Sequence, residues 1–195
     1  TISACEKGSR WEAALACIEE MRWAKLAPDA VACSAIVSAC EKGQLWEKAL
    51  TLLGHMRHAA LALDVITYSA AVSACEKGRQ WESASTLFSE MRQSGVAPNL
   101  ISYCAAITAC DRGQQWAAAL HFLSLLSQER LEPDAITYRV VITSCDRGHQ
   151  KELGLWMHVK ARRGGAAGHA YLSDDLVDLR DLPVEVARVT TTLIL

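Results

Sequence analysis

A basic residue returns every 35 residues along this chain, as Lys7, Lys42, Lys77, Arg112 and Arg147. Cations held in one register could form a ladder that meets the phosphates of an extended polyanion, an attraction that weakens as salt rises. An acid precedes each of them, Glu6, Glu41, Glu76, Asp111 and Asp146, and would neutralise part of the ladder. A plainer account puts the same cations at helix C-termini, where each stabilises its helix by a few tenths of a kcal/mol, about 0.3 or more. On spacing alone both accounts stand. Ser69, Ser73 and Lys77, at i, i+4 and i+8, extend the basic position into a polar stripe along one helix face. Other chemistry finds no footing: there is no phosphate-binding loop, no nucleophile constellation and no metal-ligand spacing, and the six histidines form no cluster. Neither a cofactor nor a metal nor catalysis is expected.

What positions these residues is a repeat. The words ACEKG (Ala4–Gly8, Ala39–Gly43, Ala74–Gly78), ACDRG (Ala109–Gly113) and SCDRG (Ser144–Gly148) place Cys5, Cys40, Cys75, Cys110 and Cys145 at intervals of 35 residues. Trp11, Trp46, Trp81 and Trp116 keep the same step, as do Met21, Met56 and Met91. A fixed period of this size marks a stacked array. With 51% apolar residues the chain can bury a core, and a net charge of −2 gives no global pull towards nucleic acid or membrane. No run of 18 apolar residues occurs, so a membrane span is not expected. The sequence opens on Thr1 within a repeat and shows no targeting peptide, which reads as a piece of a longer protein. Five of the eight cysteines occupy equivalent repeat positions and no CxxC pair exists. Stacked helices lie about 10 Å apart, too far for a disulfide, so reduced cysteines packed as small hydrophobes are expected.

The register divides the chain into a truncated unit at 1–29, units at 30–64, 65–99 and 100–134, a degenerate terminal unit at 135–169, and a tail at 170–195. In the 65–99 unit, Tyr68, Ala71, Val72 and Cys75 make one apolar helix face. Gly78 is placed as the left-handed stop of that helix. Trp81, Ala84, Phe88 and Met91 then outline a second helix, ended by Gly95 and Pro98. Each unit is therefore a helical hairpin, and a hairpin buries its stripe only by stacking on the next. The expected fold is all-α, a solenoid of hairpins.

The unit from Ile66 to Asn99 resembles a pentatricopeptide repeat, in its 35-residue period, its Thr67-Tyr68 opening, the Gly between helices, the Ala49-Leu50 pair of the preceding unit and the closing Pro-Asp or Pro-Asn. A tetratricopeptide repeat has a period of 34 and carries its Trp in the first helix, whereas Trp46 and its equivalents open the second. The resemblance covers residues 1–148 well and 149–169 poorly. It implies a right-handed superhelix that binds single-stranded RNA, one base per repeat, in organellar RNA processing, stability or translation. Protein partners are a further expectation; DNA and membranes are not. A mitochondrion or chloroplast is the implied location.

In that family one side chain near the start of the first helix and the last residue of the repeat read the base, and an aliphatic residue packs on it. Carried onto this sequence, Ser34 with Asp64 reads guanine while Val31 packs. Ser69 with Asn99 reads adenine while Ile66 packs. Cys104 with Asp134, beside Ile101, reads a purine weakly, since a thiol is a poor donor. Arg139 with His169 fits no pairing. The implied core is 5′-G-A-purine, with Lys7, Lys42, Lys77, Arg112 and Arg147 on phosphate. Capping competes as an explanation, because Asp29, Asp64, Asn99 and Asp134 directly precede a helix.

The last unit departs from the pattern. Lys151 stands where Trp is expected, and the run from Gly164 to Gly168 replaces the turn. In the tail, Leu176–Leu179 reads as a short strand and Pro183 as the opening of a helix over 184–195. This stretch resembles the start of a small MutS-related (Smr) domain, with Asp178 at the motif's Asp but Arg180 in place of its His. Two alternatives to RNA reading remain: a protein-interaction scaffold, and the RNA-binding part of a nuclease whose catalytic domain is missing.

Overall fold

The computed structural model describes residues 29–163, together with Glu12, Ala13 and Ala16. The truncated 1–29 repeat, Lys7, His169 and the Smr-like tail at 170–195 lie outside the described residues, apart from those isolated positions. The described chain is a succession of thirteen-residue helices, α1 (Ala30–Lys42), α2 (Trp46–His58), α3 (Val65–Lys77), α4 (Trp81–Gln93), α5 (Leu100–Arg112), α6 (Trp116–Gln128), α7 (Ala135–Arg147) and α8 (Lys151–Arg163). No strand interrupts them among the described residues. The fold class is the all-α helical-repeat solenoid.

The chain divides into two compact units between Ala109 and Cys110, inside α5. In the first, α3 packs on α1, α2 and α4. Its packing face is the one the period outlines, with Tyr68, Ala71, Val72 and Cys75 at 0–1% exposure. Ala84, Phe88 and Met91 of α4 are equally buried. The Phe88 ring meets Tyr103 at a centroid distance of 4.8 Å, tilted by 60°, a geometry that suits aromatic quadrupoles. Tyr68 turns its hydroxyl to Glu90 at 3.1 Å, and Arg57 of the preceding hairpin holds the same carboxylate at 2.6 Å. In the second unit α7 packs on α6 and α8, and Tyr138, Val141, Ile142 and Cys145 of α7 and Leu153 and Met157 of α8 are buried.

Every described cysteine is free. Burial pushes the thiols up, to about 11 at Cys75 and Cys145 and about 12 at Cys110. They stay protonated at neutral pH and behave as small hydrophobes, not nucleophiles.

The first-helix glycines require a correction. Gly43, Gly78 and Gly148 have φ near −80°, −77° and −78°, so none supplies a left-handed stop. The residues after them do: Gln44, Arg79 and His149 have φ of 57°, 57° and 58°. Glycine is required for space. A Cβ on Gly78 would lie 2.6 Å from Trp46 Cγ, and one on Gly148 would lie 2.7 Å from Trp116 Cγ. The Trp that opens one hairpin's second helix thus rests on the glycine of the next hairpin, which accounts for both residues keeping the 35-residue step. At the end of the second helices the conformation does turn left-handed: Gly95 has φ +74°, but Ala60 (53°) and Arg130 (57°) take the same turn without a glycine.

One buried atom departs from the repeat's own rule. Ser144 stands where Ala39, Ala74 and Ala109 stand in earlier units, and its hydroxyl is buried without a hydrogen-bond partner. Because an unsatisfied buried hydroxyl costs about 1–3 kcal/mol, Ser144→Ala is expected to stabilise the protein by about 1 kcal/mol in chemical denaturation. Unchanged or reduced stability would show that the hydroxyl is satisfied.

Candidate nucleic-acid interface

The first helix of every hairpin presents the same row of residues. Val31, Ile66, Ile101 and Ile136 occupy its second position and are 71%, 60%, 63% and 60% exposed, the large apolar side chains left uncovered among the described residues. A fold that buries Tyr68, Tyr103 and Tyr138, two residues further on, and leaves this one aliphatic position open is presenting a surface. Ile136 was not among the sequence candidates, although its step of 35 from Ile101 would have found it. Three and seven residues further on lie Ser34 and Ser38, Ser69 and Ser73, Cys104 and Thr108, and Arg139 and Thr143. Helical periodicity puts each set on the face of its aliphatic residue.

The residue preceding the first helix of each described hairpin caps it. Asp29 accepts from Ala32 N at 2.7 Å. Asp64 accepts through Oδ1 from Thr67 N at 2.8 Å and from Thr67 Oγ1 at 2.6 Å. Asp134 does the same with Thr137, at 2.8 and 2.7 Å. Asn99 Oδ1 accepts from Ser102 N and Ser102 Oγ, both at 2.9 Å. Capping fixes which atom remains for a ligand. The carboxylates of Asp64 and Asp134 keep Oδ2, an acceptor, and Asn99 keeps its Nδ2 amino group, a donor.

Ser69 and Asn99, 30 residues apart in sequence, are brought to 3.5 Å between Ser69 Oγ and Asn99 Oδ1. Ser69 is only 6% exposed, and its hydroxyl also engages Val65 O at 2.6 Å and Ser102 Oγ at 2.8 Å. Ser102 therefore bridges Ser69 and Asn99, a link that sequence reasoning did not single out. Ser34 and Cys104 are half-buried, and Asp64, Asp134 and Arg139 are exposed.

The cation ladder is engaged with the acids of the neighbouring hairpin. Lys77 Nζ lies 2.6 Å from Glu41 Oε1, and Arg147 Nη1 lies 2.9 and 3.1 Å from the two carboxylate oxygens of Asp111. Each pair links residues 36 apart, so the acid before one unit's cation serves the cation of the next. Such partly exposed pairs contribute about 0.2–1 kcal/mol. Lys42 and Arg112 also have interaction partners.

Comparison with known proteins follows the same lines. Residues 51–112 match the pentatricopeptide repeat domain family and residues 31–59 the PPR repeat family. The two matches, both to pentatricopeptide repeat families, together span residues 31–112. No curated protein sequence matches it significantly. Among solved structures, it is similar to the PPR domain of Arabidopsis thaliana protein-only RNase P 1, determined in complex with tRNA. That match has a TM-score of 0.77 at 12% identity, covering 87% of this chain and 89% of that one. It is similar to PPR10 in complex with an 18-nt psaJ RNA element, with a TM-score of 0.70 at 18% identity, covering 85% of this chain and 24% of that one. The nuclear proteinaceous RNase P 2 of A. thaliana aligns with a TM-score of 0.76 at 10% identity, covering 83% of this chain and 36% of that one. At these identities the likeness is one of fold, and the chain spans about a quarter to a third of the latter two proteins.

Proposed function

We propose that these repeats bind single-stranded RNA sequence-selectively, one base per hairpin, in organellar RNA processing, stability or translation in a mitochondrion or chloroplast. The observation that carries this reading is the row of exposed aliphatic residues, Val31, Ile66, Ile101 and Ile136, each on a helix opened by a capping Asp or Asn. Unstacked RNA bases offer an apolar face and a hydrogen-bonding edge. The aliphatic side chain takes the face, and the atom left over by the cap takes the edge.

The chemistry of the leftover atom gives the preference. Asp64 Oδ2 is an acceptor and suits guanine, whose Watson–Crick edge carries two adjacent donors; Ser34 lies on the same repeat. Asn99 Nδ2 is a donor and suits adenine N1, with Ser69 and Ser102 holding the amide in that orientation. Asp134 with Cys104 favours a purine. The core is 5′-G-A-purine. Lys42, Lys77, Arg112 and Arg147 supply phosphate contacts from a ladder that acids partly neutralise, so affinity falls with salt on a shallow slope. The complexes of the two similar proteins, one with tRNA and one with an 18-nt RNA element, support an RNA partner.

Asn99→Asp tests the assignment. The substitution keeps the cap, because Asp caps as well as Asn, and exchanges the outward donor for an acceptor. In fluorescence titrations with RNAs differing only at the second core base, the adenine-to-guanine affinity ratio is expected to fall by about tenfold or more, given about 1–3 kcal/mol per base discrimination. An unchanged ratio would overturn the reading pair. No binding of any RNA at low salt would overturn RNA recognition and favour a protein scaffold.

A further inference from the structure

We infer that Arg139 reads a guanine at the nucleotide facing the 135–169 unit, an assignment that rests on the RNA reading above. The position three residues after the exposed aliphatic side chain holds Ser34, Ser69 and Cys104 in the preceding units, and in this one it holds an arginine. All three preceding side chains are short and at least half-buried, whereas Arg139 is exposed. Its backbone carbonyl accepts from Thr143 Oγ1 at 2.8 Å, and its guanidinium makes no hydrogen bond or ion pair among the described residues. Arg147, two turns further along α7, is already held by Asp111. Arg139 is thus an available fork of donors beside an exposed Ile136.

A guanidinium donates only, through N–H groups in a fixed planar fork, and needs two adjacent acceptors. Guanine presents such a pair, N7 and O6, on one edge. Adenine places a donor beside N7 and so opposes the fork. Uracil separates its two carbonyls by an N–H. Cytosine has an adjacent pair, but its single ring covers less of Ile136 than a purine does. The terminal hairpin thereby extends the core to 5′-G-A-purine-G.

The test uses the full chain and the RNAs UUGAANUU, in which N is G, A, C or U. Wild-type protein is expected to prefer G at N by at least fivefold over each other base. Arg139→Lys keeps the charge without the fork and is expected to reduce that preference below twofold while binding remains. Uniform weakening of all four RNAs by Arg139→Gln, with preference unaltered, would make Arg139 a phosphate contact and overturn the inference. Preference for C would overturn it also. Retained selectivity at the G and A positions with none at N defeats this inference alone. Loss of all binding by the wild type defeats the RNA reading with it. Circular dichroism of both variants confirms an unchanged fold.

Discussion

Gly78→Ala is expected to destabilise the first unit by about 3 kcal/mol, near the upper end of what overpacking costs. The backbone at Gly78 has φ −77° and ψ 0°, which alanine adopts freely, and alanine there would even lower the entropy of the unfolded chain. The whole penalty therefore comes from the methyl group, 2.6 Å from Trp46 Cγ and 3.0 Å from Nε1. An indole is rigid, and Trp46 is the first residue of α2, so neither ring nor helix yields by a small rotation. The measurement is a double-mutant cycle with Trp46→Ala in chemical denaturation. Removing the ring should make Gly78→Ala nearly neutral, a coupling of about 2–3 kcal/mol. A penalty of the same size with and without Trp46 would mean that the glycine serves the turn and not the ring.

The largest functional effect is expected at residues the fold does not need. Ile66→Asp combined with Ile101→Asp should lower RNA affinity roughly a hundredfold, about 2.7 kcal/mol. Each carboxylate removes an apolar platform for a base and sets a negative charge among the phosphates. Stability should change by less than about 0.5 kcal/mol, as expected of exposed sites. Both side chains are 60–63% exposed, and each lies in the first turn of its helix, α3 or α5, where a negative charge suits the helix dipole. Calorimetry and RNA titration on the same preparation separate the two effects. Full RNA affinity in this variant would sink the proposed base-packing surface. Loss of stability in parallel with affinity would mean that the two isoleucines are structural.

The two glycine types show how far sequence logic reached. Gly95 was identified as a turn residue and does have positive φ. Gly78 was assigned the same role from its place after a helix, but a helix stop and a close approach both select glycine, and a one-dimensional pattern cannot separate them. The residues proposed to face the bases divide in the same way. That Asp64, Asn99 and Asp134 precede helices was legible, and so was capping, because both are local. Ile136 was legible by period. Ser102 was not, since its bond to Ser69 spans 33 residues and depends on how one hairpin settles on another.

The cations of the 35-residue step divide in the same way. Their step of 35 and the acids before them were evident. Which acid meets which cation was not, because Glu41 lies next to Lys42 in sequence yet pairs with Lys77. By itself the sequence determined the period, the helical hairpins, the buried faces and the caps. All of these follow from local periodicity and from side chains acting on their own backbone. Only the tertiary structure decided which residues meet across the repeat step: Trp46 on Gly78, Lys77 on Glu41, Ser69 on Asn99 and Ser102. Those contacts depend on the offset between stacked helices, a distance set by side-chain packing and written in no single repeat.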